Sequence, residues 1–221
     1  MAKIENVMNY KSKEDAIIFP YIKSLYTSGK IIDVGCKSGK WALYLKDTIP
    51  EENWIMFDAI SKFIKDLSKF YKKSELHNIA LSDVNEDKRR FVIDRKHMGH
   101  SSFTHNGKSD LEIRYVKSRK LDDYNYNDIW FIKIDTEGHE LSVLKGAKET
   151  ILRNNPILYF ECYHKIMNLQ DYNQKDIYDY ITGLNYNIAN IVTKNVLSYE
   201  KFNEQTFSEK TTLHNFIARK K

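Results

Sequence analysis

Short apolar runs alternate with longer amphipathic ones along most of this chain, and that alternation limits the fold more than any other feature. Lys30 to Val34 (KIIDV), Asn53 to Asp58 (NWIMFD), Glu75 to Leu81 (ELHNIAL), Ile129 to Asp135 (IWFIKID) and Pro156 to Cys162 (PILYFEC) are short and rich in β-branched and aromatic residues, as buried strands are. Between them apolar residues recur at spacings of three and four. Ile60, Phe63, Ile64, Leu67, Phe70 and Tyr71 form one helical stripe, and Leu141, Leu144, Ala147, Ile151 and Leu152 form another. Trp41 to Lys46 and Lys175 to Leu184 also read as helical. Strands alternating with helices predict an α/β fold with a mostly parallel sheet covered on both faces.

The last quarter breaks the pattern. Tyr186 to Thr193 and Thr211 to Arg219 read as two strands joined by a polar segment without a helical period, which predicts a terminal antiparallel hairpin on the sheet edge. Arg89 to Ile93 and Glu112 to Val116 predict a smaller strand pair inserted before the Ile129 strand. With three prolines, eight glycines and no linker, the 221 residues are expected to form one domain. Its parts would be an N-terminal helical segment (1–29), a ligand-binding core (30–164) and a C-terminal helix with a strand pair (165–221).

Composition contributes mainly exclusions. A chain that is 42% hydrophobic and 29% charged is neither disordered nor a disulfide scaffold. Thirty-five Lys plus Arg against thirty Asp plus Glu leave +5, too mild and dispersed for a dedicated nucleic-acid groove. Arg89-Arg90 and Arg219-Lys220-Lys221 could still offer phosphate contacts, and the lysines at 62, 65, 69, 72 and 73 read as a solvated helix face. Cys36 and Cys162 form no Cys-x-x-Cys pair and suit a reducing compartment. No run approaches the roughly 18 apolar residues of a membrane span, so a soluble cytoplasmic protein without membrane insertion is expected.

In an open parallel sheet, ligands bind beyond the carboxyl ends of the strands, where the strand order reverses. The first strand runs into Asp33-Val34-Gly35-Cys36-Lys37-Ser38-Gly39, where Gly35 allows a tight turn and Gly39 a close approach to a ligand. Lys37 stands where a dinucleotide-binding loop has its middle glycine, which disfavours a nicotinamide cofactor. Asp58, at the tip of the second strand, suits a ribose diol and equally suits a helix N-cap. Ala80-Leu81-Ser82-Asp83 offers an apolar wall with polar caps where an adenine would lie. The densest constellation is Lys133-Ile134-Asp135-Thr136-Glu137-Gly138-His139-Glu140, with Glu161 and His164 expected to converge on it from the next strand.

These residues resemble a known family. Asp33-Val34-Gly35 with Gly39, Asn78 to Asp83, Ser101-Ser102, Leu121-Asp122-Asp123, the run FIKIDTEGHELSVLKGA from Phe131 to Ala147, and the strand from Pro156 to Glu161 look like the FkbM family of class I S-adenosylmethionine-dependent methyltransferases. The resemblance implies a Rossmann-like, seven-stranded, mostly parallel sheet with an antiparallel terminal strand and helices on both faces. It also implies S-adenosyl-L-methionine as cofactor and O-methylation of a sugar, glycan or related small molecule. Asp33, Gly35 and Gly39 would surround the methionine part, Asp58 would take the ribose, Leu81, Ser82 and Asp83 the adenine side, and Asp135 the methionine end or the reaction centre. Where the family usually has Ala-Asn and Glu-Pro, this chain has Cys36-Lys37 and Asp58-Ala59, so that Lys37 faces either solvent or an anionic substrate.

The expected catalytic residues are His139 as general base, Glu137 or Glu161 to orient it, and Asp135. Acceptor specificity is expected in the loop from Asp94 to Asp110 and in the C-terminal segment. His97, His100 and His105 in that loop fit no standard zinc spacing, and a magnesium ion on Asp135 with Glu137 or Glu161 is a minority reading, so no metal is assigned. An RNA or cap methyltransferase and a non-catalytic cofactor-binding module are the alternatives.

Overall fold

The computed structural model describes residues 12–103, 110–167, 171–207 and 214–221. Helix α1 (Lys13–Leu25) precedes strand β1 (Lys30–Val34) and helix α2 (Lys40–Leu45). Then come β2 (Trp54–Phe57), α3 (Ser61–Leu67), β3 (Glu75–His77), β4 (Ala80–Leu81), β5 (Glu86–Asp94) and β6 (Leu111–Arg119). β7 (Ile129–Ile134) leads to α4 (Glu140–Gly146) and α5 (Lys148–Asn154), and β8 (Ile157–Glu161) to α6 (His164–Met167) and α7 (Gln174–Gly183). β9 (Tyr186–Asn190), α8 (Tyr199–Phe207) and β10 (Asn215–Lys220) close the chain.

Seven strands form one sheet in the order β3-β2-β1-β7-β8-β10-β9. β10 is antiparallel to both its neighbours, while the pairs from β3 across to β8 are parallel. Each central strand is buried on both faces, as helix-covered parallel strands must be. Ile31 of β1 joins Trp54, Met56, Phe131 and the α1 residues Ile18 and Ile22 on one face. Its neighbour Ile32 joins Ile55, Phe57, Ile132, Leu144 and Phe160 on the other. The period of two along a strand thus feeds two cores from one run.

The expected antiparallel pair lies at the C-terminal side of the sheet, with β10 between β8 and the edge strand β9; the departure is in what joins the two. The connection holds helix α8, which buries only Phe202 and Thr206 among the described residues and so shows almost no periodicity in sequence. The run from Glu75 to Leu81 also divides: β3 pairs with β2, whereas β4 turns away to join β6 in a three-stranded sheet ordered β4-β6-β5. The strand order reverses between β1 and β7, and their carboxyl ends open the crevice expected there. No helix among the described residues is long and apolar enough to cross a membrane.

Candidate active site

A cavity opens at that reversal. Its wall contains Gly35, Asp58 and Leu81 from the exits of β1, β2 and β4, and Asp135, Glu137 and His139 from the segment after β7. Of the other expected residues, Asp33, Gly39, Ser82 and Asp83 do not line it.

The β1 exit is shaped by its backbone. Gly35 has φ +72°, and a Cβ there would fall 2.0 Å from the Asp135 carbonyl oxygen, so only glycine lets the two strand exits approach so closely. The amides of Gly35 and Cys36 donate to the Phe57 carbonyl, and Gly39 N–H donates to the Cys36 carbonyl. Lys37 N–H donates to Asp58 Oδ2 at 2.9 Å and Ile60 N–H to Oδ1 at 2.8 Å, so each Asp58 oxygen takes one amide and keeps a further lone pair. Asp58 therefore ties the turn after β2 to the β1 exit and stands as a polar group on the cavity wall; it is not the helix N-cap that its position also suited, because that place falls to Ile60. Burial raises its pKa to about 6, against those two amides and the Lys133 charge. The rest of this half is apolar, formed by Ile60, Phe63, Ile79, Leu81, Phe91 and Phe103.

Beneath the turn, Lys133 Nζ lies 3.1 Å from Asp33 Oδ1 and 3.5 Å from Asp135 Oδ2. Its hydrogen bonds go to the carbonyls of Val34 and Gly35, which leaves both buried oxygens of Asp33 without one. Burial works against the Lys133 charge, but the two carboxylates outweigh it and hold the ammonium above its ordinary value. Lys133 thereby fastens the β1 exit to the β7 exit.

The β7 exit is held by side chains. Glu140, the first residue of α4, folds back so that Oε1 accepts from Thr136 N–H at 2.8 Å, Thr136 Oγ1 at 3.0 Å and Gly138 N–H at 3.2 Å. Ser102 Oγ donates to the Glu137 carbonyl and Tyr172 Oη to that of Gly138. Inside this clamp Glu137 takes φ +55°, a left-handed conformation that strains any non-glycine residue by roughly 1–2 kcal/mol. Burial, then Asp135 and Glu140, raises its pKa to about 8, opposed in part by Lys37 and Lys133. Burial also lifts Glu140 to about 7.

His139 differs from its expected setting. Its Nε2 meets Ser82 Oγ at 3.0 Å, not a carboxylate of Glu137 or Glu161. Ser82 gives its one proton to Asp83 Oδ1 and accepts from Arg89, so it must also accept from His139. That assigns the tautomer with hydrogen on Nε2 and leaves Nδ1 as the acceptor. Burial, aided by Arg89, lowers the imidazole pKa to about 3, so the ring is neutral. Glu161 is raised well above its ordinary value by burial and by Asp135, Glu137 and Glu140. His164 does not converge with it: Nδ1 pairs with the Thr206 carbonyl and the ring stacks on Phe207.

The loop from Asp94 to Asp110, where acceptor specificity is expected, supplies the cavity roof: Met98, Gly99, Ser101 and Phe103 reach it from the turn after β5. Of these four only Ser101 was singled out by the sequence. Among the described residues no group of three or more His, Cys, Asp or Glu is arranged to hold a metal ion, and His105 lies outside them.

A seven-stranded sheet in this order, with a cavity at the reversal, has the class I methyltransferase fold. A model of the Methyltransferase FkbM domain matches residues 33–188, and the chain belongs to that family. Its fold is similar to the crystal structure of methyltransferase FkbM from Methylobacillus flagellatus KT, at TM-score 0.57 and 19% identity over 97% of this chain. This chain spans only 50% of that one. It is also similar to the plantazolicin methyltransferase BamL, solved with a triazolic desmethylPZN analog and SAH, at TM-score 0.50 and 10% identity, covering 94% of this chain and 83% of BamL. No curated protein sequence matches at a significant level.

Proposed function

We propose that the chain is an S-adenosylmethionine-dependent O-methyltransferase acting on a hydroxyl of a sugar, glycan or related small molecule. The observation that carries this reading is Glu137: a carboxyl group clamped in strained backbone on the cavity wall, with a pKa raised to about 8. A proton acceptor matched to near-neutral pH is what deprotonation of a hydroxyl during transfer requires.

The residues present fit the cofactor. Asp58 has lone pairs free for a ribose diol, the apolar half accepts an adenine, and Gly35 with Asp135 border the methionine end. When bound, S-adenosylmethionine supplies a methyl group already activated on a sulfonium, which leaves as a neutral thioether. The protein's task is then to align and to take a proton. Ionised Glu137 accepts the hydroxyl proton on a carboxylate oxygen as the new O–C bond forms, and the apolar roof of Phe91, Met98 and Phe103 keeps water away.

His139, neutral and tied to Ser82, orders the adenine side of the wall and is not the base. Incubation with methyl-labelled cofactor and a panel of nucleotide sugars, glycans and capped RNA should put one methyl group on a sugar oxygen. Transfer to carbon or only to RNA would overturn the acceptor class, and no cofactor binding by calorimetry would overturn the enzyme.

A further inference from the structure

We propose that Lys37 selects the acceptor, favouring a molecule that carries an anionic oxygen group, carboxylate or phosphate, beside its reacting hydroxyl. This rests on the methyl-transfer reading and adds to it the charge of the substrate.

The argument begins with Gly99. Its backbone has no positive φ, so nothing in its conformation demands glycine. What demands it is space: a Cβ at Gly99 would lie 1.7 Å from Lys37 Nζ and 2.3 Å from its Cε. The end of the lysine fills the notch that the missing side chain leaves. Both residues are on the cavity wall, so the stem of Lys37 runs from the β1 exit across to the turn that roofs the cavity.

The backbone of Lys37 is held to this course. It has φ +49°, unfavourable for lysine, and its N–H is fastened to Asp58 Oδ2. The residue as a whole stays exposed, so the ammonium remains open to a ligand. Among the described residues its ammonium makes no ion pair, although Asp58, Asp135 and Glu137 share the same cavity wall. Lys37 is the only cationic side chain among the described residues that line the cavity. Its charge acts on Glu137, which places it at the acceptor end. An unpaired ammonium there, next to the group that takes the proton, suits an anionic acceptor that the surrounding carboxylates alone would repel.

The test uses protein saturated with S-adenosylhomocysteine and follows binding of glucuronic acid, glucose 6-phosphate and methyl glucoside by NMR. Wild type should bind at least one anionic sugar about tenfold or more tighter than the neutral one, as expected for a hydrogen bond to a charged group. Lys37→Gln should remove that preference. Gly99→Ala should also remove it, by displacing the ammonium while keeping the charge. S-adenosylhomocysteine affinity should stay within about threefold in both variants, a change too small for loss of a charged contact.

The carboxylate and phosphate arms distinguish the two kinds of anion. Equal binding of charged and neutral sugars by wild type overturns the proposal, as does a preference that survives both substitutions. A matching loss of S-adenosylhomocysteine affinity overturns it too, because Lys37 would then grip the cofactor's own carboxylate. If anionic sugars bind with preference but receive no methyl group, the methyl-transfer reading falls and the anion site stands.

Discussion

The exits of β1 and β7 face one cavity but are built by opposite means. The β1 exit is a backbone structure: Gly35, Cys36, Lys37 and Gly39 all spend their amides on fixed partners, and two of the four are glycines with positive φ. At the β7 exit Glu140, Ser102 and Tyr172 clamp the chain, and burial lifts the proton affinity of Glu137 and Glu140. The first preorganises a shape and the second a charge state. Substitutions should therefore act on stability and cofactor binding at one exit, and on the rate and its pH dependence at the other.

The largest effect is expected where the exits touch. Gly35→Ala adds a Cβ 2.0 Å from the Asp135 carbonyl and forces alanine into φ +72°. Backbone cannot move aside as a side chain end can, so stability should fall by roughly 3 kcal/mol or more. Urea unfolding measures this, and a loss below about 1 kcal/mol would show that the two exits are not rigidly joined.

Glu137→Gln tests the charge side. Glutamine keeps the shape and cannot take a proton, so transfer in single turnover should drop by about a hundredfold or more, with S-adenosylhomocysteine affinity nearly unchanged. In wild type, burial raises the Glu137 pKa, so the reactive ionised form grows as pH rises through about 8. The wild-type rate should follow that limb and the variant should lack it. An unchanged limb in Glu137→Gln would move the proton acceptor elsewhere.

Asp58→Asn should act on cofactor affinity and leave the shape of the rate profile alone. Loss of a charged acceptor for a diol is worth about tenfold in S-adenosylhomocysteine affinity. The sign with pH follows from the raised pKa. The folded protein holds this proton more tightly than the unfolded chain, so Asp58 supports the fold at acid pH and loses that support as pH rises from the ordinary carboxylate value through about 6. Ligand binding runs the other way, strengthening above about 6 where the carboxylate is ionised. Calorimetry between pH 5 and 8 (roughly the range around that pKa) should show this limb in wild type and none in Asp58→Asn.

The same contrast explains what could be read from sequence. Residues 30–34 emerge as a strand with unchanged bounds, because the run is short and rich in β-branched residues and a turn glycine follows it. Asp58 was legible as a cavity-wall carboxylate because that role depends on its place at a strand tip, whereas the cap reading fails since the helix N-cap lies two residues later, at Ile60. Helix α8 was not, since it buries too few residues to mark a period. Gly99 and Phe103 were hidden for another reason: their contacts with Lys37 and His139 join segments distant in sequence, and no local pattern encodes them. His139 was expected to be oriented by Glu137 or Glu161, when its partner is Ser82, fifty-seven positions away.

His139 gives the smallest effect and the sharpest test of that last distinction. A base near neutral pH would make its loss as severe as that of Glu137. The ring is instead neutral near neutral pH, its pKa lowered to about 3 by burial, with Nε2–H given to Ser82 and Phe103 packed at 4.5 Å. His139→Gln can keep a donor toward Ser82, so the rate should fall only a fewfold, consistent with about 1 kcal/mol for one neutral hydrogen bond. His139→Ala should fall further, because Ser82 then loses a buried donor that Arg89 alone does not replace. Neither variant should shift the limb near pH 8. If either removes it, the proton leaves through the imidazole, and the division between a shape-built exit and a charge-built one has been drawn at the wrong residue.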